Sequence, residues 1–153
     1  MKIHLILLGS LTLFIFIIGI LGMGQTQDEF KQKYGSPDAK GHYIVRPNIG
    51  LSVKYKKGRN PSEMFIEPLS SDTVNTSNLD NENSNKVMPS DVAEEVLNEL
   101  VPVEKRGRKG NIGNSEFGCT SVDNTNYELV VIVVTKRCEQ QGAGTYSIKV
   151  SWK

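Results

Sequence analysis

The sequence predicts an α+β fold, an antiparallel sheet of about four to five strands covered by one long and one short helix. Three features carry that expectation. Segments with strict apolar–polar alternation stand on both sides of one strongly amphipathic helical segment. One run of six residues is apolar without interruption. Turn-forming residues sit close between the extended segments, as hairpins require.

In "TQDEFKQKYG", Thr26 precedes Glu29 by three residues, a capping-box spacing, and Gly35 stands where a helix would end. Phe30 and Tyr34 lie one turn apart, so this short helix lays two aromatics on the core. In "IGLSVKYKKG", Ile49, Leu51, Val53 and Tyr55 alternate with Ser52, Lys54 and Lys56, the period of a strand with one wet face. Pro47 marks the start of that strand or a break from "HYIVR". The turn residues of "KKGRNP" lead into "EMFIE", a second strand stopped by Pro68, and the two form a hairpin.

"SSDTVNTSNLDNENSN" offers only Val74 and Leu79 for burial, too little apolar surface to offset the entropy of ordering it. A flexible loop is expected over 70–86. Asn75-Thr76-Ser77 matches a glycosylation acceptor, meaningful only in a eukaryotic secretory pathway. "PSDVAEEVLNELVP" then reads as the long helix. Ser90 or Asp91 can cap it, Val92, Val96 and Leu100 form its stripe, and Pro102 ends it. Glu94, Glu95 and Glu99 fall on its solvent side. Leu129 to Val134 is the uninterrupted apolar run, mostly β-branched, and belongs in the middle of a sheet. After the turn "QQGAG", Tyr146, Ile148, Val150 and Trp152 alternate with Ser147, Lys149, Ser151 and Lys153, giving a strand with one dry face. The segment around Phe117 supplies a possible fifth strand.

The first 24 residues set the destination. Lys2 is followed by an apolar run broken only by His4, Ser10, Thr12 and glycines, with no acid before Asp28, the pattern of an export signal. Gly22 and Gly24 fit cleavage before Gln25. The run is also close to the ~20 residues of a spanning helix, so an uncleaved membrane anchor is the alternative. The expected organisation is residues 1–24 as signal peptide or anchor and 25–153 as one domain, periplasmic or secreted. Of 18 Lys and Arg, Lys2 leaves with the leader, and the 17 that remain balance 17 Asp and Glu. No global field steers the exported part toward nucleic acid. Its length allows one core that buries roughly two thirds of the unfolded surface.

The usual machinery of an enzyme is missing from the pattern. His42 is the one histidine beyond the leader, beside Tyr43 near a strand start, and there is no H-E-x-x-H, G-x-S-x-G, P-loop or dinucleotide fingerprint. Two cysteines and one histidine fall short of a tetrahedral zinc set, so neither metal nor cofactor is implied. Glu63 and Glu67 share one face of their strand with no evident neighbour to split their pKa values, which leaves a hydrolase with unrecognised carboxylates as the alternative to a non-enzymatic module. That hydrolase would need two carboxylates facing each other across a concave site.

Cys119 and Cys138 are the only thiols, and export would let them pair. If Thr120 and Tyr127 flank a tight turn, however, Cys138 lies well past the position opposite Cys119, and pairing requires the intervening segment to loop back. Eight of the 17 basic residues fall in two glycine-bearing stretches: Lys54, Lys56, Lys57 and Arg59, then Lys105, Arg106, Arg108 and Lys109. Such loops can hold sulfate, phosphate or an anionic polymer. The bland reading is two solvated turns, the second of them favourable beside a helix C-terminus.

"FKQKYGSPDAKGHYIVRPNIGLSVKY", "NELVPVEKRG" and the closing "KVSWK" together resemble a group of small exported bacterial proteins of unknown function. The resemblance implies an envelope or secreted setting and no activity, ligand or site residue. The function expected is a non-enzymatic exported module that binds a protein or an anionic envelope polymer through an exposed strand edge or the basic loops. It would meet a membrane only through an uncleaved leader. Inhibition of a protease by strand addition is a special case of the same idea.

Overall fold

The computed structural model describes residues 26–56, 60–69, 87–138 and 143–153. The leader, Lys57, Arg59 and the expected loop at 70–86 lie outside the described residues. Helix α1 (Gln27–Tyr34) forms where the capping box predicts it. The Thr26 N–H donates to Glu29 Oε2 at 2.6 Å and the Glu29 N–H donates to Thr26 Oγ1 at 3.3 Å, and the helix ends at Gly35 with φ of 81°. Phe30 is buried and packs its ring 5.7 Å from that of Tyr43, which seats α1 on strand β1 (Tyr43–Arg46).

A turn at Pro47 and Asn48, with Asn48 in the left-handed region at φ 62°, leads into β2 (Ile49–Tyr55), which pairs with β3 (Pro61–Pro68) as the expected hairpin. Helix α2 (Ser90–Leu100) buries Ala93, Val96, Leu97 and Leu100. Its cap differs from expectation. Pro89 holds the N-cap position and no side chain caps the first turn, while the Ser90 hydroxyl instead lies 3.4 Å from that of Thr145. A short 3-10 turn, Val103–Lys105, then leads to four strands, β4 (Lys109–Phe117), β5 (Thr120–Tyr127), β6 (Val130–Arg137) and β7 (Gly144–Trp152).

The strands form one antiparallel sheet in the order β1-β2-β3-β7-β6-β5-β4. The α+β class holds, but the sheet has seven strands rather than four to five. The additions have physical reasons. β1 is separated from β2 by the tight turn at Asn48, and "TSVDNTNY" is a strand in its own right whose polar composition hid it. Tyr127 closes that strand instead of opening the apolar one.

Two cross-strand rows carry the core. Leu51, Ile66, Ile148 and Val134 are successive partners in one row, and Val53, Met64, Val150 and Ile132 in the next. α2 lies on this face, where its four buried side chains join the cluster. Each fully buried aliphatic side chain contributes about 1.5–3 kcal/mol. β6 is interior as its composition predicts, between β7 and β5.

Candidate functional site

The two rows continue past the shelter of α2. The first runs from Val134 to Asp123 on β5 and Asn114 on β4, and the second from Ile132 to Thr125 and Ile112. Exposure rises along the second row from 3% at Ile132 to 64% at Ile112. The sheet thus extends as a wing beyond its helix, and a cleft of about 410 Å³ opens where α2, β5 and β6 meet. Ile132, Val134 and Ile148 floor it, Leu97 and Ala93 wall it, and Glu94, Lys109, Asp123 and Lys136 stand around it.

The wing ends in β4, whose nine residues are all exposed and which has no strand beyond it among the described residues. Ile112 and Phe117 (70% exposed) are the two most exposed large apolar side chains of the described residues. The opposite edge is different. β1 has four residues, a register shift between Ile44 and Arg46, and α1 packed against it. Short, bulged and covered edges are protected from pairing, whereas β4 is open over Ile112–Phe117. Its own irregularity is one extra residue between Lys109 and Ile112.

A disulfide braces the wing. Thr120 pairs with Arg137, so Cys119 and Cys138 are the next opposed positions, and they are joined with Cα atoms 5.0 Å apart. The Cys138 N–H also donates to the Cys119 carbonyl at 3.0 Å. The looping back that the sequence called for is unnecessary, because the turn lies at Glu128 and Leu129 and not between Thr120 and Tyr127.

The basic residues do not gather into one site. Arg106 is buried, donates from Nε to the Val101 carbonyl at 2.8 Å and from Nη2 to Asn98 Oδ1, and lies over the Tyr127 ring. Its charge closes the C-terminus of α2. Lys105 is exposed in the 3-10 turn, Arg108 stands 3.4 Å from Glu128, and Lys109 opens β4. Lys54 bonds Glu63 at 3.2 Å and covers the Phe65 ring, and Lys56 is exposed at the end of β2. β2 and β4 are five strand spacings apart in the sheet order, about 24 Å, so Lys54 and Lys109 cannot grip one small anion. Tyr55 packs against the core, as alternation predicts, with its hydroxyl buried and pushed up by that burial.

Several carboxylates have partners that the sequence did not reveal. Glu63 accepts from Lys149 at 2.7 Å as well as from Lys54, and the two cations hold its carboxyl below the usual range. Glu67 and Asp38 flank His42, at 3.3 Å from Nε2 and 3.4 Å from Nδ1. Glu99 is not on the solvent side of α2. It accepts from Lys33 at 2.7 Å, the Tyr34 hydroxyl at 2.8 Å and Arg46 at 2.6 Å, which together hold it down to about 2. In the cleft, both Asp123 oxygens are engaged, by Asn114 at 2.7 Å and Lys136 at 2.7 Å.

No protein-family model matches this chain, and no curated protein matches it. Among solved structures it is similar to a DUF4309 family protein, YjgB, from Bacillus subtilis subsp. subtilis str. 168, with 13% identity. That likeness covers 84% of this chain and 79% of the other at a TM-score of 0.43. A likeness of that size leaves the fold to be read from this chain's own residues.

Proposed function

We propose that this chain is an exported, non-enzymatic binding module that recognises a polypeptide by strand addition at β4. The observation that carries the reading is the open edge itself: Ile112–Phe117 is regular, free of proline and exposed on both faces. Main-chain groups of an edge strand supply affinity to an extended ligand, and alternate side chains supply selectivity. Toward the cleft the ligand would meet Ile112, Asn114 and Glu116, and on the other face Gly113, Ser115 and Phe117. The disulfide at the tip of β5 and β6 supports the same reading, because a rigid edge loses less entropy when it is paired. It also agrees with an oxidising, extracytoplasmic setting. Among the described residues, no helix is long and apolar enough to cross a membrane.

The test is hydrogen exchange with a set of extended heptapeptides of alternating apolar and polar residues. Protection is expected at the amides of Ile112–Phe117 and lost when Ile112 is changed to Lys. Protection confined to β1, or none anywhere at millimolar peptide, would remove the proposal.

One observation favours a hydrolase as the second reading: Glu94 and Asp123 line the same cleft. Asp123 lies 2.7 Å from the Lys136 ammonium, and Glu94 is exposed on α2. Turnover of chromogenic glycosides or esters that vanishes in both Glu94→Gln and Asp123→Asn would establish it. Lack of turnover across the panel by the unaltered protein would retire it.

A further inference from the structure

We infer that the polypeptide taken up by β4 is β4 of a second copy of this chain, an inference that rests on the reading of β4 as a recognition edge. Opposed residues in an antiparallel pair turn their backbone groups the same way, so a strand that pairs with its own copy about a two-fold axis must centre on a residue. Ile112 is the residue that suits that axis. It is the apolar end of the row through Thr125 and Ile132, it is 64% exposed, and centring there sets the two Ile112 side chains against each other on the cleft side.

The same register settles the charges. Because β4 carries one extra residue between Lys109 and Ile112, Lys109 stands two register positions before Ile112, and Glu116 stands four after it, so the acidic end of each strand approaches the basic start of the other. About the axis at Ile112, Lys109 falls opposite Asn114 of the second copy and diagonal to its Glu116, on the same face and within reach of a lysine side chain. Lys109 and Glu116 have no ion-pair partner among the described residues, whereas Arg108 is held by Glu128 at 3.4 Å. Opposite-charge pairs across strands favour this register, and like charges would oppose a parallel arrangement. The paired sheets then run on as one, and the open edge, otherwise a template for uncontrolled association, is closed in both copies.

Sedimentation equilibrium of the exported protein tests this. A dimer is expected, with its dissociation constant raised at least roughly tenfold in Glu116→Lys and in Lys109→Glu. Circular dichroism confirms that each variant is folded. Mixing the two charge-reversed variants should restore a dimer that neither forms alone, an outcome that damage to the fold would not produce. A wild-type monomer at a concentration on the order of 100 μM, or a mixture that stays monomeric, overturns the inference. If the protein is monomeric while peptides still protect Ile112–Phe117, only the self-pairing fails. If neither occurs, the strand-addition reading falls with it.

Discussion

Glu99 shows how much a single side chain joins in this molecule. Its carboxylate takes hydrogen bonds from α1 through Lys33 and Tyr34 and from β1 through Arg46, so three elements meet at one group on α2. Those donors hold its pKa at about 2, below that of a free glutamate. A carboxyl whose folded-state pKa is depressed stabilises the fold above its unfolded pKa, and the contribution fades as pH falls from there through the folded value. The side chain is 28% exposed, so solvent screens part of the effect. Glu99→Gln should cost about 1–2 kcal/mol at pH 7 in urea denaturation, in the range of charge-assisted hydrogen bonds. At pH 2 the variant and the parent should converge, and a difference independent of pH would mean that packing, not charge, sets the effect. Gly107 makes the corresponding backbone case. Its φ is 76°, and a Cβ there would stand 2.8 Å from the Cβ of Glu128. Gly107→Ala should therefore destabilise by about 1–3 kcal/mol, read as a lower denaturation midpoint at unchanged slope.

At the scale of elements, the wing depends on its staple. β4 and β5 bury few side chains, so their order rests on the ladder with β6 and on the bond that closes a sequence separation of 19. Loop closure of that length stabilises by about 3 kcal/mol in the chain-entropy picture. Replacing Cys119 and Cys138 by Ser should lower global stability by that order and raise amide exchange most in β4 and β5, with α2 and β2 less affected. Uniform acceleration across the molecule would show that the wing is not a separate weak unit. β5 is also a strand the sequence concealed, and β4 was expected only as a possible strand around Phe117. α1, the β2–β3 hairpin, α2 and β7 were legible because each buries a periodic apolar face, and β6 because its run is apolar throughout; burial writes both patterns into a sequence. "KGNIGNSEF" and "TSVDNTNY" bury almost nothing on that scale, so composition makes them look like loop. Recognising "TSVDNTNY" as a strand would have placed Cys138 opposite Cys119 at once. The site was harder still, since an edge is a property of strand order, and no local pattern announced that β7 would pair with β3 and leave β4 outermost. Within the basic stretch Lys109 opens β4, while Arg106 serves the end of α2.

The whole molecule turns on β7. Local hairpins build β1-β2-β3 on one side and β4-β5-β6-β7 on the other, and the two meanders become one sheet only where Met64 pairs with Val150 and Ile66 with Ile148. That contact spans more than half of the chain, so its closure costs more entropy than any hairpin, although the cost grows only slowly with length. What repays it is burial. Ile148 is 1% exposed and Val150 is fully buried, both under α2 and between the apolar partners of β3 and β6. Ile148→Ala should cost about 2–5 kcal/mol. The loss should fall on both meanders together, because each depends on the same strand for its inner edge. Exchange-resolved unfolding followed at amides of β2 and of β6 would then give one midpoint, lowered equally in the variant. Two midpoints, with only the β6 side displaced, would mean that the first meander and α1 hold together without β7, and that the sheet is two folding units laid edge to edge.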